Sequence, residues 1–326
     1  MKKNFNLKLL NRLIGFTKPY KFNFIFVSFS AIILSFLSIL NQYFLKIAVD
    51  EYITPKDYKG LLIVIVLMLS VLCFQVIFQF LFIYFTNLLG QKVVYDLRTK
   101  LFKTIINFKM SYYDKSSVGR LVTRTVSDME TIASIFSQGL FMIFADLILM
   151  FSVLIVMIVL SVQLSLIILI ILPFVVLATR LFQRAMKVAF NEVRNEVANL
   201  NSFVQERLSG IKEIQIFNRQ KIESENFKKI NERHKKAWLK TVWYNSIFFP
   251  IAEISISISV GLIVWYAGSN IIQLENFVSL GTIFLFIQLS QMLFRPLRQI
   301  ADKFNTLQMG MVAAKRVFEI LDSDHN

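Results

Sequence analysis

The stretch RLFQRAMKVAFNEVRNEVANLNSFVQERLSGIKEIQIFNRQKIESENFKKINERHKKAWLK, residues 180–240, decides the fold. It carries fourteen lysines and arginines, one glycine (Gly210) and no proline. A loop of that length without structure of its own is uncommon. Val193, Val197, Leu200, Val204, Leu208, Ile211 and Ile214 recur at steps of three and four, the spacing of one helix face. Apolar, membrane-grade segments flank the stretch on both sides. It therefore reads as two long helices that leave a bilayer, turn between Asn218 and Ser224, and return. From Leu164 to Phe217 is about 80 Å of helix, a hydrocarbon core takes about 30 Å, and about 50 Å is left to project.

The bulk composition agrees. The 326 residues are 56% hydrophobic and carry a formal charge of +15, with a mean hydropathy of +0.59. Apolar residues gathered into long blocks indicate a polytopic membrane protein. A basic balance suits either nucleic acid or the cytoplasmic loops of a membrane protein. Here the bases lie between apolar spans, which favours the loops and excludes nucleic acid as a partner. A single cysteine, Cys73, excludes a disulfide within the chain, and two histidines do not build a metal site. No catalytic residue set is evident. The first apolar segment begins near Phe22 and is too long for a cleaved signal.

In chain order, residues 1–21 read as an amphipathic helix on the membrane surface, with Leu7, Leu10, Leu13, Ile14 and Phe16 spaced among Lys8, Arg12 and Lys18, ending at Pro19. The spans are placed at about 22–44, 60–89, 132–160, from 164, between the Trp243-Tyr244 and Trp265-Tyr266 pairs, and at 280–294. The second helix continues to Lys109, about 75 Å in all. A break is expected over Ser111–Gly119, with helix resuming at Arg120. Ser161-Val-Gln163 is a tight turn, and Pro173 is expected to kink the fourth span. The loop from Gly268 to Ser279 holds one acid, Glu275, and a helical tail runs to Leu321. All bases except Lys46, Lys56 and Lys59 fall on one side. The prediction is an all-α membrane protein: six transmembrane helices with long cytoplasmic helical extensions, intracellular loops near 90–131 and 180–242, and both termini cytoplasmic. Spans one to three and four to six repeat one order: a long helix down, a short break, a long helix up.

Four motifs in order resemble the transmembrane domain of ATP-binding cassette (ABC) exporters of the lipid flippase and multidrug type: Tyr112-Tyr-Asp-Lys-Ser-Ser-Val-Gly-Arg-Leu-Val-Thr-Arg-Thr-Val-Ser-Asp128, Gly210-Ile-Lys-Glu-Ile-Gln-Ile-Phe-Asn-Arg219, Arg295-Pro-Leu-Arg-Gln-Ile300 and Ala313-Ala-Lys-Arg-Val-Phe-Glu-Ile-Leu-Asp322. The resemblance covers essentially the whole chain. It implies a six-span domain over 22–310, working as a homo- or heterodimer by alternating access, that moves lipids, drugs or other amphipathic cargo out of the cytoplasm across the cell membrane. It implies a first coupling helix with Tyr113, Asp114, Lys115, Gly119 and Arg120. The second carries Phe217, Asn218, Arg219 and Gln220. Where the family often has an acid after the arginine of the second motif, this chain has Gln220 and Lys221. No G-x-x-x-x-G-K-[ST] occurs, so ATP and Mg are expected on a nucleotide-binding domain outside this chain, with 311–326 as the junction toward it. Truncation is favoured over a separate ATPase polypeptide. An ion-coupled secondary transporter, or a non-transporting scaffold or receptor, is the alternative.

Two acids fall inside spans, Asp146 and Glu253, each about 20 Å from the outer end. Two readings stand. They face a shared cavity and favour cationic cargo, or each is neutral or satisfied by a neighbouring Ser, Asn or Gln. On the sixth span Gln288 and Gln291 share one face and are candidates for the cargo route, with Phe284, Phe286 and Met292 near them.

Overall fold

The structure is a computed structural model and describes residues 7–115, 117–272 and 278–323. Inside a bilayer a backbone finds hydrogen-bond partners only within its own segment or in a closed barrel, and long uninterrupted apolar runs resolve this as helices. All regular structure among the described residues is helical, and six stretches are long and apolar enough to cross a membrane. Helix α1 (Leu7–Gly15) and one 3-10 turn carrying Pro19 (Lys18–Tyr20) lead into α2 (Lys21–Ile47). Helix α3 (Tyr58–Ile106) has 49 residues, about 73 Å at 1.5 Å per residue. Short helices α4 (Met110–Lys115), α5 (Val118–Thr125) and α6 (Ser127–Ser134) follow, then a π-helical turn (Ile135–Leu140) and α7 (Phe141–Leu160). The chain continues through α8 (Val162–Ser209), α9 (Ile211–Ile216), α10 (Gln220–Ile272) and α11 (Leu280–Leu321). Glu275 lies outside the described residues.

Four boundaries differ from the sequence expectation, one being the turn expected over Asn218–Ser224, which closes by Arg219 because α10 starts at Gln220. The break over 111–119 is largely helical: α4 holds Tyr112, Tyr113 and Asp114, and α5 starts at Val118 rather than Arg120. Helix α8 stops at Ser209, short of Phe217, because Gly210 leaves helical geometry (φ −98°, ψ 30°) and starts the separate helix α9. The turn between the third and fourth spans shrinks to Ser161, whose Oγ accepts from the Leu164 N–H at 3.4 Å. Pro173 lies within continuous α8.

The chain divides into two compact units, Met1–Ser165 with Ile263–Asn326, and Leu166–Leu262. The order of elements repeats between the halves, but compactness groups spans one, two, three and six together. In this first unit a fully buried set, including Leu13, Leu97, Leu101, Met129, Ile132 and Val317, joins α1, α3, α6 and α11. Its residues on α3 follow one face: Val93, Leu97, Leu101 and Ile105 are buried, whereas Phe102 and Ile106, on the other side, are exposed. Each fully buried Leu or Ile contributes about 1.5–3 kcal/mol where water is the alternative environment. Gly310 allows the closest approach within this core, since a Cβ there would lie 2.1 Å from Ile135 Cγ1 and 3.0 Å from the Thr131 carbonyl.

In the second unit α8 and α10 run antiparallel and are joined by side-chain bridges. Phe182 stacks on Phe248 at 3.9 Å. Lys240 Nζ reaches both Glu192 oxygens at 2.8 and 2.9 Å, and Arg207 Nε donates to Glu223 at 2.6 Å. Between the Phe182–Phe248 and Arg207–Glu223 contacts each helix advances 25 residues in opposite directions, so one register holds over about 37 Å.

Candidate functional site

The far end of α3 is built around Tyr113. Its hydroxyl donates to the Ile105 carbonyl at 2.5 Å, and its ring meets Tyr112 edge-on at 6.0 Å. Tyr112 in turn packs on Phe108 at 4.6 Å. Tyr113 therefore adds a second donor to the Ile105 carbonyl, which also accepts from the Phe108 N–H at 3.0 Å, and packs inward. The outward groups are Met110, Asp114, Val118 and Arg120, with Met110 75% and Val118 65% exposed. The side chain of Lys115 lies outside the described residues. Gly119 and Arg120 sit in the first turn of α5, where the Arg120 N–H donates to the Ser117 carbonyl at 3.0 Å. Neither a positive φ nor a close neighbour requires glycine at 119, because the nearest atom to an added Cβ is Ser117 Oγ at 3.8 Å.

The second tip is a helix end closed by its own backbone. Asn218 takes φ 51°, a region that asparagine tolerates better than most residues. Its N–H donates to the Gln215 carbonyl at 3.2 Å, and the Arg219 N–H reaches back to Ile214 at 2.9 Å. This paired closure satisfies the last carbonyls of α9 without glycine. Arg219 pairs with Glu223 at 3.7 Å, and Gln220 begins α10. The geometry turns Ile216 and Phe217 outward, 73% and 72% exposed. The short helix thus precedes the four residues singled out from the sequence, and Ile216 belongs with them. Helical spacing alone made Ile216 part of a longer helix and hid it.

Within the spans, Asp146 on α7 is paired with Lys303 on α11, the two side chains 18% and 16% exposed. Neither sequence reading of Asp146 included this partner, which sits on the helix tail beyond the sixth span. Breaking a poorly solvated pair on one side leaves an uncompensated charge and costs about 3 kcal/mol, whereas replacing both members by apolar groups is far less costly. Lys303→Met is therefore expected to lower the thermal unfolding midpoint in detergent, and adding Asp146→Leu to recover most of the loss. Equal losses in the single and double variants would remove the pair as the cause. Glu253 is exposed on α10, in the other unit. On α11 Phe284, Gln288 and Gln291 fall on one face, Phe284 and Gln291 exposed and Gln288 half-buried. Phe286 is fully buried and packs in the interior.

The tail of α11 carries polar anchors that sequence reading missed. Asp128, 9% exposed as a side chain, accepts from Arg124 Nη1 at 2.7 Å and faces Arg316 Nη1 at 3.5 Å. Arg12 on α1 grips Asp322 with both terminal nitrogens, at 2.5 and 2.6 Å, and lies 4.2 Å over the Phe318 ring. The hydrogen bond from Arg12, helped by the charges of Arg12 and Lys100, holds the Asp322 carboxyl below the usual carboxylate range. Arginine twelve residues into a chain and aspartate past the end of a helix give no pairing signal at this separation.

Helices that outrun a bilayer and end in outward-turned apolar groups define a membrane domain with long extensions beyond the hydrocarbon layer. Residues 24–297 match the family model described as ABC transporter transmembrane region, and the chain belongs to that family. It is a multi-pass membrane protein. An uncharacterized ABC transporter ATP-binding protein of Bacillus subtilis (strain 168), YknV, is 26% identical across 100% of this chain and 54% of its own length. The putative ABC transporter ATP-binding protein exp8 of Streptococcus pneumoniae is 29% identical across 96% of this chain and 54% of its own. An ATP-dependent lipid A-core flippase of Mannheimia succiniciproducens is 28% identical across 86% and 48%. The chain spans about half the length of the curated relatives it matches.

Proposed function

We propose that this chain is the membrane-spanning, cargo-translocating part of an ATP-driven exporter that works by alternating access, with residues 1–21 as an elbow helix, 22–310 as the six-span domain and 311–326 as the junction toward a nucleotide-binding domain. The observation that carries the reading is the exposure of Ile216 and Phe217 at the end of a charged hairpin, with Met110 and Val118 at the end of α3. Apolar side chains on extensions too long for the hydrocarbon layer are interaction surface. The family supplies the partners: nucleotide-binding domains that dock on the tips and drive the helices, the second tip reaching the domain of the partner subunit. A second transmembrane subunit, identical or different, completes the translocator. Relatives described as lipid A-core flippases support a lipid or other amphipathic cargo. The concentration of bases on the extensions supports cytoplasmic termini and a location in the cell membrane.

The reading assigns the nucleotide and its magnesium to the nucleotide-binding domain. This chain has no phosphate-binding glycine loop, and among the described residues no group of three or more His, Cys, Asp or Glu is placed to hold a metal. What these residues supply is docking at Phe217 and Tyr113's end of α3, and stiff helices that carry movement from the tips to the spans.

Full-length protein, or this chain with its ATPase subunit, reconstituted in phosphatidylethanolamine–phosphatidylglycerol vesicles, is expected to move a fluorescent phospholipid or a hydrophobic cationic dye in an ATP-dependent way. Both probes matter, because the Asp146–Lys303 pair leaves Asp146 a weak attractor for cations. ATP-independent movement driven by a proton or sodium gradient would transfer the chain to the secondary transporters.

A further inference from the structure

Helix α11 does not end as a free tail. Over the 19 steps from Lys303 to Asp322 it carries three charged groups that meet three different elements: Lys303 meets Asp146 on α7, Arg316 meets Asp128 on α6, and Asp322 meets Arg12 on α1. Two of these contacts are more specific than charge neutralisation needs. Asp128 is buried and fixed by Arg124 on its other oxygen, so Arg316 addresses a carboxylate that cannot turn to follow it. Arg12 makes a two-pronged contact to Asp322 while its flat face covers Phe318, whose ring is itself 2% exposed. A forked, stacked guanidinium fixes direction as well as distance.

Stability does not account for the Arg12–Asp322 contact. Its side chains are 43% and 54% exposed, and exposed pairs add at most about 1 kcal/mol. The geometry instead fixes where the last turn of α11 sits and how it is rotated. α6 follows α5 with only Val126 between them, which ties it by the chain to the tip of α3. α1 holds the other side of the same turns, with Leu13 fully buried and Phe16 6.0 Å from Phe318.

We propose that Arg12, Asp322, Arg316 and Asp128 are positioning residues that clamp the last two turns of α11 between α1 and α6, so that displacement of the α4–α6 segment is passed to the end of α11. The proposal rests on the reading of the chain as the membrane part of an ATP-driven exporter. It adds a route, inside one chain, between the first coupling segment and the proposed junction toward the nucleotide-binding domain.

Hydrogen exchange on the full-length protein or the complex, in lipid nanodiscs with and without ATP and magnesium, tests it. In the parent protein, exchange over 127–134 and over 312–322 is expected to change together on adding nucleotide. In Arg12→Ala and in Arg316→Ala the 127–134 response is expected to persist. The 312–322 segment is expected to exchange about tenfold faster and to lose its nucleotide response, with the thermal midpoint of Arg12→Ala within about 2 °C of the parent because its pair with Asp322 is exposed. Arg12→Lys, which keeps the charge but not the fork or the stack, is expected to fall between. Retained joint responses in both alanine variants overturn the clamp. So does faster exchange in which the nucleotide response survives, since that describes a merely structural contact. A parent protein with no nucleotide-linked change in any segment overturns the exporter reading itself, which separates that failure from failure of the clamp.

Discussion

Phe217→Ala is expected to reduce transported cargo per ATP hydrolysed by at least about fivefold, while membrane insertion and thermal stability stay at parent values. The reasoning is one of location. At 72% exposure the ring contributes little to its own unit, so truncating it removes little packing. At the proposed docking face the same ring is an aromatic anchor, and truncating such an anchor costs about 2 kcal/mol or more. That is about thirtyfold in a docking equilibrium, enough to detach the hairpin from its driver for much of each cycle. The comparison at the other tip sharpens the test. Tyr113 faces its own chain and bonds the Ile105 carbonyl, so Tyr113→Ala is expected to lower stability first and coupling only through it. Tyr113→Phe isolates the hydrogen bond, worth about 1 kcal/mol. Full transport per ATP in Phe217→Ala would remove that residue from the docking face, and Ile216 would be the next group to examine.

The contrast between the two tyrosine-and-phenylalanine tips shows what was legible. The length of α3 follows from hydrophobic periodicity carried past the membrane edge, because a helix face repeats at 3.6 residues whatever surrounds it, but the same periodicity carried α8 past its true end at Ser209. Turn formers over Ser111–Gly119 marked the first tip, whereas Gly210 was read through as part of a helix running to Phe217. Direction was not legible: an aromatic at a helix end reads the same whether it bonds a carbonyl of its own chain, as Tyr113 does, or points outward, as Phe217 does. The Schellman-type closure at Asn218 was hidden for a related reason, because the usual glycine is replaced by a residue that merely tolerates positive φ. The long-range ion pairs were out of reach altogether. Arg12 and Asp322 are 310 residues apart, and nothing in either neighbourhood marks the other. Asp146 looked like an isolated intramembrane acid because its partner lies on a tail that periodicity alone treats as solvated helix.

The largest loss of stability is expected from Gly281→Ala, at the opposite end of α11 from the clamp. Here α11 begins against the end of α2 and the π-helical turn Ala48–Ile53 that follows it. Asp50 in that turn accepts from the Gly281 N–H at 2.7 Å and from Ser279 Oγ at 2.5 Å, while Ser279 caps the Thr282 N–H. A carboxylate at a helix start satisfies free donors and favours the helix dipole. The approach that makes this possible leaves no room for a side chain. A Cβ at 281 would lie 2.4 Å from the Lys46 carbonyl oxygen and 2.7 Å from Asp50 Cγ. The carbonyl belongs to the last turn of α2 and moves only if the helix moves, so the methyl group costs about 3 kcal/mol or more and displaces the start of α11. Asp50→Asn, which keeps shape and one acceptor, is expected to cost about 1 kcal/mol. The two changes differ in kind, because the methyl penalises only conformations in which α2 and α11 touch here, and it shifts the population toward any state in which they part. Labelling of Ser279→Cys by an impermeant thiol reagent, in a Cys73→Ser background because native Cys73 is exposed, is therefore expected to quicken severalfold with Gly281→Ala and hardly at all with Asp50→Asn. Equal labelling and equal melting in the Gly281→Ala and parent proteins would show that this contact is not what holds the two helices together at this end.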